Sequence, residues 1–209
     1  EGDHCCAAYV FTANDPGNRR DRRISCRTNL KPDRGTGLLY YHVCYGLSET
    51  GGLTIVTGKQ NWERHAVRCC EQLAKWWNDG KVMAHAGFPN GLGTTATEIE
   101  KQIVNDSDET RRRLMIVYKN TLIGEMSFYV YENAKYEIGI KICEFDYQEK
   151  GLGKIVLSML IEELFHMGAQ LIFLDTNLNN TRAQHVYEKL GFKRIAIHCD
   201  SWKNQLGEL

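Results

Sequence analysis

The sequence predicts a mixed α/β fold in which helices cover both faces of one mostly antiparallel sheet. Three strand-like segments, residues 114–118, 122–131 and 136–143, follow one another with short connections and so predict an antiparallel meander. After the meander, helical and strand periodicities alternate along the chain. Together these two observations favour a sheet with helices packed on both sides.

The first two helices are predicted from periodicity and from a cap. Residues 53–57 form a short strand candidate, and apolar residues from Trp62 to Trp76 then recur at helical spacing. Thr95 and Glu98 have the spacing of a capping box, so a further helix is expected to begin there.

The second half of the chain gives the remaining elements. Residues 153–167 form a long amphipathic helix, and residues 171–174 form an apolar strand. Residues 180–190 are predicted as a helix because a glycine follows them, and residues 193–198 as a last strand.

The overall composition is typical of a globular domain. The chain has 209 residues, 43% of them hydrophobic, and its 26 basic and 26 acidic side chains give a formal net charge of zero. A balanced charge provides no general attraction to nucleic acid or to anionic lipid. No uncharged apolar run approaches the roughly 18 residues that cross a bilayer, so we expect no membrane partner.

Residues 1–52 differ in composition from residues 53–209, which we take as the folded domain. Basic residues cluster between Arg19 and Arg34 among acidic ones, which is typical of a solvated, irregular arm. A nucleic-acid-binding segment is the alternative, but aromatic side chains are scarce in this run. Residues 38–47 are apolar and aromatic enough to predict one strand.

The eight cysteines have no regular spacing, and two pairs of them are adjacent in sequence. Neighbouring cysteines rarely bridge each other, and no Cys-x-x-Cys pair is present, so neither a disulfide framework nor a zinc site is predicted. We expect most thiols to be reduced. Reduced thiols, and a start without the basic-then-apolar pattern of a signal peptide, predict a cytoplasmic protein.

The strongest local signal is the segment Gln-Glu-Lys-Gly-Leu-Gly-Lys at residues 148–154, between a strand and the long helix. Gly151 and Gly153 let the backbone turn tightly and leave its N–H groups uncovered, and the positive end of the helix points to the same place. Such a segment binds phosphate or pyrophosphate, although a glycine-bearing turn without a ligand is the plain alternative. A dinucleotide fold is disfavoured because the third glycine is missing, and a P-loop because neither Ser nor Thr follows Lys154.

A second motif follows the apolar strand. It reads Asn-Thr-Arg-Ala from Asn180 and Val-Tyr-Glu-Lys-Leu-Gly-Phe from Val186. With the Gln-x-x-Gly-x-Gly of residues 148–153, in this order and spacing, it resembles the GNAT superfamily of acetyl-CoA-dependent N-acetyltransferases across residues 53–202. The segments beginning at Trp77, Tyr136 and Asp200 are most similar to the branch that includes ribosomal-protein N-terminal acetyltransferases.

The resemblance implies a sheet splayed between the strand ending near Cys143 and the strand beginning near Leu171, with acetyl-CoA between them and no metal. The pantetheine arm is expected to pair with strand backbone, and the pyrophosphate with amide groups at the start of the long helix. The implied cofactor-binding residues are Ile142, Cys143, Gln148, Glu149, Lys150, Gly151, Leu152, Gly153, Lys154, Asn180 and Tyr187.

Direct attack by a primary amine in a ternary complex needs a base, because an amine with a pKa of about 10.4 is protonated at neutral pH. Glu137, beside the expected cofactor slot, is the first catalytic candidate and Glu125 the second. A backbone N–H near Cys143 is expected to stabilise the oxyanion. Tyr187 matches the family tyrosine beside the thioester sulfur and is expected to assist the departing thiolate. Cys143 is expected to act through its backbone, not as a nucleophile.

The sequence departs from the family pattern after residue 202. Family members usually finish with one more strand, which fills the sheet between their fifth and sixth strands. We expect residues 38–47 to take that place, in cis or in a partner molecule. An unfilled gap would expose strand edges and favour a homodimer.

The predicted function is therefore N-acetyl transfer to a small-molecule amine or a protein N-terminus. A non-catalytic acyl-CoA-binding or sensing module of the same fold is the alternative, and nucleic acid is not expected as a partner. Residues 88–92 form a turn-rich loop that borders the acceptor site in this fold, which makes them the candidate specificity loop.

Overall fold

The computed structural model describes residues 5–12, 42–45, 53–56, 62–119, 121–199 and 204–207. Within these ranges the strands are β1 (Cys6–Thr12), β2 (His42–Tyr45), β3 (Leu53–Val56), β4 (Arg111–Tyr118), β5 (Thr121–Tyr131), β6 (Lys135–Ile142), β7 (Leu171–Asn177) and β8 (Lys193–His198). They form one sheet in the order β2-β3-β4-β5-β6-β7-β1-β8. The predicted mixed fold and the antiparallel meander of three strands, here β4 to β6, are confirmed.

The helices are α1 (Trp62–Asn78), α2 (Gly80–Met83), α3 (Ala96–Ile103), α4 (Leu152–His166) and α5 (Thr181–Leu190). They cover both faces of the sheet because buried side chains alternate along its strands. In β4, Ile116 packs in a core with α4 and α5, whereas its neighbour Met115 packs in a second core with α1 and α3. Within the described ranges, none of these helices is long and apolar enough to cross a membrane.

The predicted capping box at the start of α3 is confirmed. The hydroxyl of Thr95 accepts a hydrogen bond from the Glu98 N–H at 3.3 Å, and the Glu98 carboxylate accepts one from the Thr95 N–H at 2.8 Å. Such a cap stabilises a helix by about 1 kcal/mol, because it satisfies N–H groups that have no partner in the first turn.

The first strand of the chain lies in the interior of the sheet. Residues 6–12, which the sequence analysis assigned to an irregular arm, form β1 between β7 and β8 and run antiparallel to both. Ala7, Tyr9 and Phe11 alternate along β1 and are buried on the face covered by α4 and α5. Burying an aromatic side chain of this size contributes about 1.5–3 kcal/mol, so β1 is part of the core.

The expectation that residues 38–47 fill this place is wrong. A strand does form within them, as predicted, but this strand is β2 and it pairs with β3 at the opposite edge of the sheet. The short connection between β2 and β3 makes their hairpin pairing less costly in loop-closure entropy than a long excursion to β7. Because β1 fills the gap from within the chain, the reason for expecting a homodimer is removed.

A disulfide joins the ends of β1 and β8. Cys5 precedes β1, Cys199 follows β8, and their Cα atoms lie 4.1 Å apart although 194 positions separate them in sequence. The expectation of reduced thiols is wrong for this pair, because the β1–β8 pairing brings two distant cysteines together. Cys70 and Cys143 are buried and are not disulfide-bonded. Disulfides persist mainly in oxidising compartments, so the thiols no longer support a cytoplasmic location.

Candidate functional site

A cleft opens between β6 and β7. The two strands pair in parallel only from Lys135 to Glu137 and from Leu171 to Phe173, and then diverge. The cleft has a volume of about 590 Å³ and is lined by residues 138–142 of β6 and residues 175–177 of β7. It also reaches residues of α4 and α5 on one face of the sheet and of α2 on the other, so it passes through the sheet. We name its two openings the α4 side and the α2 side.

Divergence of the two strands leaves the backbone of β6 unpaired along the cleft. The N–H of Cys143, the residue after β6, donates to the Ile123 carbonyl of β5 at 2.9 Å. Hydrogen bonds alternate in direction along an antiparallel ladder, so the N–H and C=O groups of Ile138, Ile140 and Ile142 point to the other edge, into the cleft. The Ile142 carbonyl accepts a hydrogen bond from the Gln148 side chain at 2.9 Å. Extended polar chains can pair with such an exposed edge.

Residues 148–154, which we name the amide loop, lead from the cleft into α4. The N–H groups of residues 149–154 donate to no other described residue. Glu149 and Gly151 have left-handed backbone conformations, with φ of 59° and 75°, which turn neighbouring N–H groups to one side. A Cβ atom added to Gly151 or Gly153 would meet no atom within 4 Å, so space remains in front of these amides. The N-terminus of α4 and these free amides together form a site that suits an anion.

An ion pair lies at the edge of the amide loop. Arg182 of α5 pairs with the Glu149 carboxylate and also donates to the Gln148 side chain at 3.4 Å. Both charged partners are mostly exposed, so this pair contributes little to stability. All residues of the amide loop except Lys150 line the cleft, and Lys150 lies over the ring of Tyr147 instead.

Helix α5 brings two predicted site residues to the cleft. Asn180 caps the helix, because its side-chain oxygen accepts from the Ala183 N–H at 3.2 Å, and it lines the cleft. Tyr187 lies about two helical turns further along α5, on the same side of the helix, and is 7% exposed. Its ring packs against Tyr9 of β1 and against Phe192, with centroids 5.8 and 6.0 Å away. Burial, and secondly the neighbouring Tyr9, raise the pKa of Tyr187 to about 12.

Cys143, the residue after β6, is buried in the core that contains α1 and α3, and it does not line the cleft. Its N–H and that of Glu144 both donate to the Ile123 carbonyl, at 2.9 and 3.0 Å. Both donors are thus already used within the sheet. An oxyanion donor near Cys143 stays a prediction, for which the N–H of Ile142, which points into the cleft, is the remaining candidate at this end of β6. Burial raises the pKa of the Cys143 thiol well above its usual range, so the thiol stays protonated and is a poor nucleophile.

The predicted carboxylates lie outside the cleft. Glu137 accepts a hydrogen bond from the Tyr131 hydroxyl at 2.6 Å, at the end where β6 and β7 are still paired. Glu125 accepts from the Trp77 indole at 2.7 Å and lies 3.5 Å from the Lys141 ammonium group. Neither glutamate is among the residues that line the cleft. The structure therefore brings Tyr187, Asn180 and the amide loop together, but not Glu137.

Sequence reasoning missed the residues that line the α2 side. Asp175 is exposed, at a β7 position that alternates away from buried Leu174 and so faces the α2 side. Lys81 and His85 line the cleft from α2 and the turn after it. The predicted strand ended at residue 174, so Asp175 was left out, although its position one residue beyond an apolar run indicates a strand end. Only Asp175 and Glu149 contribute carboxylates to the described lining.

The fold and the cleft define a class of protein that holds a long, anionic ligand between two splayed strands, with its phosphates on the amides of a helix N-terminus. The chain belongs to the Acetyltransferase (GNAT) family, whose pattern matches residues 77–192. The resemblance derived from the two motifs is thus confirmed. The matched region contains the amide loop, Asn180 and Tyr187, whereas β1 lies outside it.

Curated relatives match a smaller part of the chain. The ribosomal protein bS18-alanine N-acetyltransferase of Escherichia coli strain K12 is 40% identical over 52 residues, which are 25% of this chain and 35% of that protein. The same enzyme of Salmonella typhimurium strain LT2 is 38% identical over 62 residues, 30% of this chain and 42% of that protein. The chain therefore matches well under half the length of these relatives.

Solved structures of similar fold cover more of the chain at lower identity. The spermidine N-acetyltransferase of Vibrio cholerae, solved with CoA and spermine, has a TM-score of 0.57 and 21% identity over 69% of this chain and 82% of that one. The aminoglycoside acetyltransferase AAC(6')-Ib, solved with coenzyme A, has a TM-score of 0.57 and 18% identity over 71% and 95% of the two chains. These likenesses show a shared fold.

Proposed function

We propose that this protein transfers an acetyl group from acetyl-CoA to a primary amine by direct attack in a ternary complex. The observation that carries the proposal is the cleft through the sheet, with the free amides of residues 149–154 at one end and Tyr187 inside. Membership of the GNAT family and the activities for which its relatives are named support the same reaction.

The α4 side of the cleft suits the phosphates and arm of acetyl-CoA. A helix end alone contributes about 0.3–1 kcal/mol to anion binding, so the free amides of residues 149–154 must hold most of a pyrophosphate. The edge of β6 offers the N–H and C=O of Ile140 and the N–H of Ile142 to the amide groups of a pantetheine arm, whereas the Ile142 carbonyl already accepts from Gln148. Asn180 keeps its side-chain NH₂ group for the same arm, because only its oxygen is used in capping α5.

Tyr187 is suited to donate a hydrogen bond to the sulfur that leaves during transfer. A thiol has a pKa of about 8.5, whereas burial raises the pKa of Tyr187 to about 12. Full proton transfer from the phenol to a thiolate is therefore uphill by several kcal/mol. The phenol stays protonated and stabilises the thiolate as a charge-assisted donor, an interaction of about 1.5–3 kcal/mol.

Asp175 is the carboxylate best situated to help the acceptor amine lose its proton. It lines the α2 side of the cleft, on the face of the sheet opposite to the amide loop, where an acceptor can approach without crossing the cofactor. A carboxylate removes the proton directly or through one water. Glu137 is the second candidate for the base, because its carboxylate accepts a hydrogen bond from Tyr131 at the closed end of the cleft.

The acceptor is proposed at the level of a primary amine, on a small molecule or at a protein N-terminus. Proteins of this family and fold carry names that specify a ribosomal-protein alanine, spermidine or an aminoglycoside as acceptor. The lining of the α2 side includes both signs of charge, with Lys81 and Asp175, and so fits an amine that brings further polar groups.

Calorimetry and a thiol-release assay test the proposal. The protein is expected to bind acetyl-CoA and to release free thiol with at least one amine of a panel containing an alanine-terminated peptide, spermine and kanamycin. Gly153→Glu is expected to abolish binding while the protein stays folded, because the new carboxylate projects into open space at the amides. Gln170→Glu, an equal charge change on an exposed residue beyond the other end of α4, is the matched control.

Two outcomes oppose the proposal. Absence of heat with acetyl-CoA for folded protein would remove the cofactor site. Binding without thiol release across the panel would favour a module that binds acyl-CoA without turnover.

A further inference from the structure

We propose that Gln205 is a positioning residue that holds the acceptor side of the cleft in shape. It acts through residues 84–91, the turn after α2, which we name the acceptor turn. His85 and Ala86 of this turn line the cleft on the α2 side. The inference rests on the proposed function, since it concerns the opening by which the acceptor amine would enter.

Gln205 satisfies three backbone groups of the acceptor turn at once. Its N–H donates to the Gly87 carbonyl at 2.8 Å. Its side-chain NH₂ donates to the Gly91 carbonyl at 2.8 Å, and its side-chain oxygen accepts from the Asn90 N–H at 2.9 Å. More than 110 positions separate Gln205 from these partners, so the contacts are purely tertiary.

The acceptor turn is fixed from its other side by close backbone packing. A Cβ atom at Gly80 would lie 1.8 Å from the Pro89 carbonyl oxygen, and one at Gly91 would lie 2.4 Å from the Asn78 carbonyl oxygen. Gly91 also has φ of 73°, a conformation that L side chains rarely adopt. The acceptor turn thus packs directly against the junction of α1 and α2, and Gln205 hydrogen-bonds to it from the solvent-exposed side.

Gln205 itself is exposed and belongs to no described helix or strand. Loss of its side chain therefore removes no buried apolar surface, and the core should keep its stability. What it does remove is the pairing of the Asn90 N–H and the Gly91 carbonyl. A freer turn would displace His85 and Ala86 from the cleft and weaken acceptor binding, while the amide loop on the opposite face stays unchanged.

Three variants separate positioning from a general structural role. Gln205→Met keeps the length of the side chain and loses both of its hydrogen bonds, whereas Gln205→Glu keeps the oxygen that accepts from Asn90. Leu206→Met changes the exposed neighbouring residue and is the matched control. The full-length protein is saturated with acetyl-CoA, and kinetics use whichever panel amine gives the fastest thiol release.

Gln205→Met is expected to raise KM for the acceptor about 5- to 30-fold, because it loses both side-chain hydrogen bonds to the acceptor turn. Gln205→Glu is expected to lie between Gln205→Met and wild type, and Leu206→Met to match wild type. The kcat and the acetyl-CoA Kd should stay within about twofold throughout. Amide hydrogen exchange across residues 84–91 should be faster in Gln205→Met and unchanged across the amide loop.

Exchange in the acceptor turn that matches wild type in Gln205→Met would overturn the proposal, as would an equal loss of acetyl-CoA affinity. An unchanged acceptor KM would overturn it as well. If wild-type protein turns over no amine, the proposed function fails, and the exchange measurement still decides whether Gln205 orders the turn.

Discussion

The amide loop and β1 border the same region of the molecule, but they are built in opposite ways. Residues 148–154 obtain their shape from neighbours in sequence, with a glycine in a left-handed conformation directly before α4. In contrast, β1 obtains its place from strands that are 159 or more positions away in sequence. The amide loop leaves the N–H groups of residues 149–154 unpaired and so available to a ligand. In contrast, β1 is hydrogen-bonded on both edges and buries aromatic rings. We therefore expect changes in β1 to affect stability and changes along the cleft to affect binding and rate.

The largest effect is expected from Tyr9→Ala. Tyr9 is fully buried, packs on the Tyr187 ring, and its hydroxyl donates to the Glu188 carboxylate of α5 at 3.3 Å. Removing such a ring should lower the free energy of unfolding by about 3–5 kcal/mol in a chemical denaturation measurement. Val10→Ala, on the opposite face of β1, should cost less than half as much. Equal losses would mean that β1 contributes only its backbone pairing.

The next effect concerns the disulfide between the ends of β1 and β8. Its removal in a Cys5→Ser/Cys199→Ser variant should lower stability by about 2–4 kcal/mol, because the unfolded chain gains the freedom of a very long loop. Thermal unfolding of the wild-type protein with a thiol reductant should reproduce the Tm of the variant. A wild-type Tm that does not respond to reductant would show that β1 is held by pairing and burial alone.

A carboxylate substitution sharpens the assignment of the base. Asp175→Asn should lower kcat at pH 7 about 100-fold, while acetyl-CoA affinity is kept. The loss should shrink as pH rises, since more of the acceptor amine is then already deprotonated. Glu137→Gln should change kcat less than about threefold. The reverse ranking would return the role to Glu137 and remove Asp175 from the proposal.

Tyr187→Phe tests the hydrogen-bond donor. Loss of the hydroxyl should lower kcat about 10- to 150-fold, since a donor to a charged sulfur contributes about 1.5–3 kcal/mol. The acetyl-CoA Kd should change less than twofold, and the Tm should change little because the ring remains. Because the pKa of Tyr187 is raised to about 12, its ionisation should cause no fall of wild-type activity below about pH 10. Parallel losses in kcat and affinity would contradict the role.

The smallest effect is a loss of stability at alkaline pH. Burial raises the pKa of Cys70 to about 11 and that of Tyr187 to about 12, so the folded protein keeps both groups neutral while the unfolded chain ionises them. The unfolded state then binds fewer protons, and stability falls as pH rises through about 9 towards 12. With the raised pKa of Cys143 counted as well, we expect a loss of about 1 kcal/mol already near pH 9, measured by denaturation. A stability that is flat up to pH 10 would contradict this.

Sequence reasoning predicted what depends on local pattern. The amide loop, the Thr95 cap and the strands of the meander are each specified by residues within a few positions of one another. Residues 5–11 form a short continuous apolar run, which periodicity alone does not assign to a strand or a helix, and they were placed in the irregular arm. The strands that pair with β1 could not be predicted, because local sequence patterns do not relate residue 9 to residue 174.

The site was predicted only in part for a similar reason. Glycine spacing and the Asn180 motif identified the α4 side, because a helix N-terminus is recognisable from sequence. The α2 side depends on how far β6 and β7 separate and on which side chains then face the gap. Asp175 and His85 therefore appeared only in three dimensions, and Glu137 seemed suitable because its strand was known but its distance from the cleft was not.

The position of β1 also affects how the protein is made. A ribosome releases β1 before any other described strand, whereas β7 and β8 emerge after α4. Until then Tyr9 and Phe11 have no partners, and the nascent sheet cannot close around them. Contacts between such distant segments slow folding and expose apolar surface during synthesis. A newly made chain should therefore need chaperone protection until β7 and β8 have left the ribosome, however early the amide loop takes shape.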